Sequence, residues 1–371
     1  MATLFEETQI NGMTLSNRFV RSATWSGMAT KEGACTPQLV NLMTDLAQGG
    51  VGLIVTGHAY VRQDGQAGAN QLGAYSDELV PGLQDMVQMV HDHGGKIVLQ
   101  LSHAGFFANA KLTGKIPLAP SAIKELAKTP RREMTRQDIQ EVREAFGDAA
   151  VRAGEAGFDG VQIHAAHGYL LSQFLSPLLN HRSDAYGGAI GNRARDLCEV
   201  FQAVRGAVGR DYPVLVKMNS GDFMDGGLVV EDSVQVGRML EEEGIDAIEL
   251  SGGLPMARES GSIRMGIISE DREAYFKEEA RAYKKVLSVP LILVGGIRSL
   301  QAAERLVAEG VADYLSMSRP FIREPNLVNR WRTGDRRKST CISENSCLAA
   351  VREGEGIYCV TEQKQKGNPQ L

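Results

Sequence analysis

The sequence predicts an α/β protein of the (β/α)8 TIM-barrel class, with loop insertions and a short cysteine-containing C-terminal tail. Three observations point there. Eight short apolar runs recur along the 371 residues. A helical pattern separates each run from the next, as a barrel of alternating units requires. A Gly-x-Gly-x-x-Gly turn, the mark of the competing doubly wound sheet, is missing, which makes that alternative weaker.

Taken in order, the runs are FVRSAT (19–24), VGLIVTG (51–57), KIVLQLSH (96–103), GVQIHAA (160–166), PVLVKMN (213–219), DAIELSGG (246–253), PLILVGG (290–296) and ADYLSMSR (312–319). Gly, Pro or Asp bounds each one, as strand ends favour. Their near-continuous hydrophobicity suits strands buried on both faces of a parallel sheet.

The helical patterns fall between them. Residues 37–48 carry Leu39, Leu42, Met43 and Leu46 at helical spacing. Residues 77–95 end in a Gly pair suited to a C-cap. Residues 135–157 open with Thr135 and place Asp138 three positions on, close to a capping box. Segments 193–209, 231–244, 272–288 and 299–310, with a last helix near 325–332, complete the eight. Two stretches depart from the repeat. Residues 104–134 are too long for a plain loop and predict a lid or pocket wall. The polar tail from 334 to 371 lies outside a barrel domain spanning 1–333.

Composition narrows the function. A net charge of −5 provides no basic field for nucleic acid or an anionic membrane surface. No apolar run is long enough to span a bilayer. The N-terminal MATLFEETQINGMTLSNR has no basic n-region before an apolar core, so no secretory signal is expected. Five cysteines, an odd count with Cys35 and Cys198 standing alone, do not form a secreted disulfide framework. The expected compartment is the cytoplasm.

Barrel chemistry collects at the C-terminal ends of the strands. Those ends supply Ser22 and Thr24, Gly57, Gln100 and His103, His164 with His167 and Tyr169, Lys217 and Asn219, Ser251, Gly295 and Gly296, then Ser318 and Arg319. The last two ends, VGGIRS and SMSR, stand where barrels bind phosphate through backbone N–H groups and a helix N-terminus, with Arg319 able to add a charged donor. The pair His164 and His167 allows three readings: catalysis, a loop pair satisfied structurally, or metal ligation with His103 as a third ligand.

At this point the residues resemble a family. HAAHGYLLSQFLSPLLNHRSDAYGG (164–188), continuing into GNRAR (191–195), is similar almost position for position to the signature of the Old Yellow Enzyme family of FMN-dependent ene-reductases. NRFVRSAT, QLSHAG and VGGIRS with SMSRPFIREP agree, so the resemblance runs from about residue 3 to 332. It implies that His164 and His167 donate hydrogen bonds to the carbonyl oxygen of an activated alkene, and that Tyr169 protonates its α-carbon. Hydride from reduced flavin would add at the β-carbon, and two preplaced N–H donors would stabilise the enolate charge that develops. A phenol is a reasonable acid for that carbon.

The resemblance further implies FMN contacts from Ser22, Ala23, Thr24, Gly57 and Gln100, and a phosphate clamp from Gly295, Gly296, Ser318 and Arg319. Lys217 stands where most relatives carry an arginine near flavin N1, keeping the charge and losing the planar fork. Ser318 replaces a usual glycine. Trp25 occupies a stretch, TWSGMA (24–29), where relatives place Cys or Thr near the flavin; it joins His103 and Phe106 as a candidate substrate-pocket residue. Larger members of the family carry a four-cysteine iron–sulfur cluster after the barrel, then a nucleotide-binding domain. The segment CISENSC with its later YC is similar in place, but Glu344 replaces the second cysteine, leaving Cys341, Cys347 and Cys359. A standard cluster wants four cysteines. The expectation is a relic motif, with an unusual cluster or a zinc site as alternatives.

With no second domain expected beyond Leu371, NADH or NADPH would reduce FMN directly in the same pocket, in turn with the substrate. The expected function is a ping-pong ene-reductase acting on a small-molecule substrate, commonly as a homo-oligomer. Two alternatives stand beside it: amine demethylation or dehydrogenation on the same flavin barrel, and a flavin subunit that needs a separate redox partner. Arg131, Arg132, Arg258 and Arg264, in the insertions at 104–134 and 254–270, are candidates for gripping a nicotinamide 2′-phosphate.

Overall fold

In the computed structural model of the chain, residues 3–123, 126 and 129–367 are described. Positions 124, 125, 127 and 128 of the 104–134 insertion, the first two positions of the expected barrel domain and the last four of the tail lie outside the described residues. The eight apolar runs form β1 (Phe19–Arg21), β2 (Leu53–Val55), β3 (Ile97–Ser102), β4 (Gly160–Ala165), β5 (Val214–Asn219), β6 (Ala247–Ser251), β7 (Leu291–Val294) and β8 (Tyr314–Met317). Around the sheet they run 2-1-8-7-6-5-4-3, and pairing of β2 with β3 closes the ring. Every pair in the ring is parallel. The predicted (β/α)8 barrel is the observed fold.

Strand periodicity then sorts the side chains. One set of alternate positions, including Phe19, Ile54, Leu99, Ile163, Val216, Ile248, Leu293 and Leu315, packs outward against the helices in the main core. The other set points inward. At the N-terminal end it is apolar, with Val20, Leu53, Val98, Leu215, Ala247, Ile292 and Tyr314 in one cluster. A two-stranded hairpin, Thr8–Ile10 with Met13–Leu15, adds Ile10, Met13 and Leu15 to that cluster. Its turn, Asn11 and Gly12, has φ of 42° and 77°, as a two-residue primed turn requires. Nearer the C-terminal end the inward positions become polar.

The helices are α1 (Pro37–Gln48), α2 (Val80–Asp92), α3 (Arg136–Glu155), α4 (Arg195–Val208), α5 (Val230–Glu242), α6 (Lys277–Lys284), α7 (Leu300–Ala308) and α8 (Leu327–Arg332). Thr36 Oγ1 caps α1 by accepting from Leu39 N. The Thr135–Asp138 capping box forms in full at α3. Beyond α2 the chain turns at Gly94, φ 70°. The helix predicted over 272–288 is shorter. Its N-terminal part is recruited by the end of β7 instead: the Glu273 carboxylate accepts from Arg298 N and Ser299 N, and Tyr275 N donates to Gly295 O.

The tail folds as α9 (Ser346–Glu353) and α10 (Val360–Gly367). It adds no strand to the barrel, yet Val351 and Ile357 are buried in the main core. Its approach is tight: a Cβ on Gly27 would stand 2.8 Å from Val351 Cγ1. The tail therefore roofs the loop that follows β1.

Candidate active site

A cavity of about 390 Å3 opens at the C-terminal ends of the strands, within the range of small-molecule sites. Of the residues singled out in the sequence, Ser22, Ala23, Thr24, Trp25, His164, His167, Tyr169, Lys217, Ser251, Gly296, Ser318 and Arg319 line it. Six others are placed elsewhere, Asn219 among them, behind the His167 backbone. Gln100 is buried and donates to Gln162 Oε1 at 2.7 Å. Gly57 packs under Thr24, whose carbonyl would be 2.8 Å from an added Cβ. Gly295 backs the wall beneath Phe276 and Tyr275. His103 is buried and turned to Asp64, Nε2 to Oδ1 3.3 Å. Phe106 is buried beneath the Arg131 guanidinium, 4.7 Å away.

The two histidines and the tyrosine come together at the cavity. His164 ends β4, and its ring meets those of His167 at 5.5 Å and Tyr169 at 4.9 Å. His167 adopts φ 57°, a left-handed conformation rare for a residue with a Cβ. Asn219 holds it there by accepting its N–H at 3.0 Å. His167 Nε2 lies 2.7 Å from Ser251 Oγ, and His164 Nδ1 is buried with no protein partner. Burial, reinforced for His164 by its histidine neighbours and for His167 by Lys217, lowers both pKa values, His167 to about 3. Both rings are neutral near pH 7, so each offers one N–H donor. Burial raises the Tyr169 phenol, which stays protonated.

Lys217 is less free than its sequence position suggested. Its ammonium donates to Ser22 Oγ at 2.7 Å and to the fully buried Glu249 at 3.1 Å. Glu249 also accepts from Ser22, Ser316 and Gln162, and Gln100 donates in turn to Gln162. Register explains the chain: Lys217 pairs with His164 on one side and Glu249 on the other, and Gln100 pairs with Gln162. A buried ammonium and carboxylate survive in a dry interior only when both are satisfied in this way.

Sequence reasoning missed His58, Gln71, Glu249, Arg298 and Arg352. Among the described residues the cavity wall carries Lys217, Arg298, Arg319 and Arg352 and no carboxylate. Arg298 is buried, with Nε and Nη1 unpartnered. Gly296 beside it has φ 75°, and a Cβ there would meet Tyr275 at 2.8 Å. Orphaned guanidinium donors, the bare backbone at Gly296 and the start of the short helix Arg319–Arg323 after Ser318 fit a bound phosphate. Three of the four arginines proposed for a 2′-phosphate are otherwise engaged. Arg131 covers Phe106, Arg132 pairs with Asp138, and Arg264 lies over Tyr275 at 4.5 Å. Arg258, at φ 48°, sits in the 3-10 segment Pro255–Ser260.

Cys341, Cys347 and Cys359 line a separate small pocket with Glu344, Arg319 and Arg323. Arg323 donates to Cys359 Sγ at 3.5 Å, and Glu344 is taken by the Thr361 hydroxyl. Three thiols and an engaged carboxylate do not fit a four-thiolate cluster. Among the described residues no group of three His, Cys, Asp or Glu is placed to hold a metal ion, His103 with the histidine pair included.

Fold and cavity together define a (β/α)8 barrel whose mouth joins two imidazoles and a phenol to unpartnered cationic donors that fit a phosphate-bearing group. Residues 3–338 match the NADH:flavin oxidoreductase / NADH oxidase family, and the chain belongs to that family. It is 35% identical over 350 residues to an NADH oxidase of Thermoanaerobacter brockii, covering 92% of this chain and 52% of that protein. It is 37% identical to an NADPH dehydrogenase of a Geobacillus species, over 87% of this chain and 91% of that protein. An Old Yellow Enzyme homologue from Zymomonas mobilis superposes with a TM-score of 0.77 at 27% identity, over 92% of this chain and 96% of the other. The resemblance read from the 164–188 segment is borne out. The chain spans about half the length of the first of these relatives.

Proposed function

We propose that the chain is an FMN-dependent ene-reductase: NADH or NADPH reduces bound flavin, and an α,β-unsaturated carbonyl or nitro compound then takes up hydride and a proton. One observation carries this reading. Two neutral imidazoles and a protonated phenol, fixed by packing and hydrogen bonds, face one cavity that also holds unpartnered cationic donors.

Bound flavin supplies the two-electron carrier. Arg298, Arg319, Gly296 and Ser318 are the residues to hold its phosphate, and Ser22 to Thr24 with Lys217 line the space for its ring. The rest of the chemistry belongs to the side chains. His164 and His167 grip the carbonyl oxygen of the substrate. For His167 to donate, its proton sits on Nδ1 while Nε2 accepts from Ser251. These donors orient the alkene and stabilise charge accumulating on oxygen. Tyr169 delivers its phenolic proton to the α-carbon. The amine-oxidising alternative has less support: the wall is cationic and carries no carboxylate among its described residues.

The cytoplasm and a homo-oligomeric assembly belong to the same reading. All five cysteines are free thiols, which suits a reducing compartment, and among the described residues no helix is long and apolar enough to cross a membrane. An anaerobic visible spectrum tests the function. Flavin bands should bleach with NADH or NADPH and return with cyclohexenone. Flavin that bleaches but ignores the enone overturns the ene-reductase reading. Flavin that will not bleach points to a separate redox partner.

A further inference from the structure

Tyr169 has one neighbour that the catalytic reading leaves unused. His58 follows β2, and its ring packs edge-on to Tyr169 at 5.2 Å and stacks on His164 at 6.2 Å with 8° between planes. Its Nε2 is 3.5 Å from the Tyr169 hydroxyl. That is long, but catalytic hydrogen bonds often tighten only when substrate is bound.

The protonation of His58 follows from its surroundings. The Gln71 carboxamide oxygen accepts from two backbone donors, Ala67 N at 2.8 Å and Gly68 N at 3.3 Å. Backbone N–H groups can only donate, so the oxygen must face them. The Gln71 amide nitrogen is thereby aimed at His58, at 2.7 Å from Nδ1 and 3.0 Å from the His58 carbonyl. An NH2 group only donates, so Nδ1 is an acceptor and carries no proton. Burial lowers the His58 pKa to about 4, so the ring is neutral and its single hydrogen is on Nε2.

We infer that His58, held in the Nε2–H form by Gln71, is a positioning residue that donates to the Tyr169 oxygen and so turns the phenolic hydrogen into the cavity. Resting on the ene-reductase reading, it assigns a direction to the proton that Tyr169 gives. When the phenol O–H breaks, its electron pair stays on oxygen and the enolate electron pair forms the α-C–H bond. The hydride comes from the nicotinamide through flavin. His58 Nε2–H then stabilises the phenolate until solvent reprotonates it. His58 cannot relay that proton itself, because Gln71 blocks its far nitrogen.

The test separates this inference from the function it rests on. Long-range 1H–15N correlation spectra of the histidine-labelled, oxidised holoprotein report the tautomer without turnover, and His58→Phe identifies the signal. The expected form is Nε2–H in the parent, inverting to Nδ1–H in Gln71→Glu, whose carboxylate accepts from Nδ1. Stopped-flow then splits the cycle. Gln71→Glu and His58→Phe should each slow flavin reoxidation by cyclohexenone roughly 10- to 100-fold and leave reduction by NAD(P)H within about twofold, the range of one lost proton-transfer aid. An Nδ1–H or charged His58 in the parent overturns the inference. So does an inverted tautomer with unchanged reoxidation. If Gln71→Glu does not fold, His58→Phe, which preserves the stack on His164, decides by the same two rates. A parent that ignores enones sinks the functional reading while the tautomer still reports on Gln71 and His58.

Discussion

His167 and His58 are each held by a partner that has no chemistry of its own. Asn219 keeps His167 in a left-handed backbone, a conformation that costs a residue with a Cβ about 1–2 kcal/mol. Ser251 fixes its ring, and Gln71 fixes His58. Replacing His164 and His167 together by alanine should leave flavin bound and cut enone reduction by about 10^2- to 10^3-fold or more, as losing oxyanion donors does. Steady-state rates and flavin stoichiometry check it. Tyr169→Phe should slow flavin reoxidation by an enone and spare reduction by NAD(P)H; equal effects on both halves would remove it as the acid. His164, His167 and Tyr169 were legible because one strand end and one turn carry all three. His58, Gln71, Glu249 and Arg298 were not: His58 and Gln71 meet across an irregular stretch of the β2–α2 connection, and Glu249 and Arg298 come from β6 and the loop after β7, so no local pattern marks them.

Strands and most helices were legible for the same local reason. An apolar run bounded by turn residues, or Thr135 with Asp138, carries its structure within a dozen positions. The hairpin at the barrel floor has a turn signal in Asn11–Gly12, but its strands span three residues each, too short to display a period. The helix expected over 272–288 lost its start to contacts with β7 that no local pattern encodes. The tail shows the same limit. Its polar composition hides that Ser343, Leu348 and Arg352 form part of the cavity wall. Gly27 marks where it docks, at φ 63° against Val351. Gly27→Ala should therefore combine backbone strain with a clash and lower stability by about 1–3 kcal/mol. Thermal unfolding would show it, with earlier proteolysis after residue 333; an unchanged melting temperature would mean the tail does not rest there.

At the centre of the molecule one charge pair ties the barrel together. Lys217→Met leaves Glu249 buried without its cation and should cost about 3–5 kcal/mol near neutral pH. The pH dependence changes sign with it. In the parent, burial raises the Glu249 pKa but Lys217 and three hydrogen bonds outweigh it, so the net value is depressed. Its stability is present above the ordinary glutamate range and fades as pH falls through the folded value. Without Lys217, desolvation prevails and the carboxyl is raised, so the variant should be steadiest in mild acid and weaken as pH climbs. Melting curves at pH 5 and pH 8 distinguish the two. Lys217→Met with Glu249→Gln should recover most of the loss.

The hydrogen-bonded line from Gln100 through Gln162 to Glu249 and Lys217 has a consequence for descent as well as stability. It crosses β3, β4, β5 and β6, and altering any one member leaves a buried donor or acceptor without its partner. Such positions are coupled by roughly 0.5–3 kcal/mol rather than independent. Among related sequences the four should be inherited as a block, exchanged together or not at all, while the apolar floor beneath them drifts one methyl at a time.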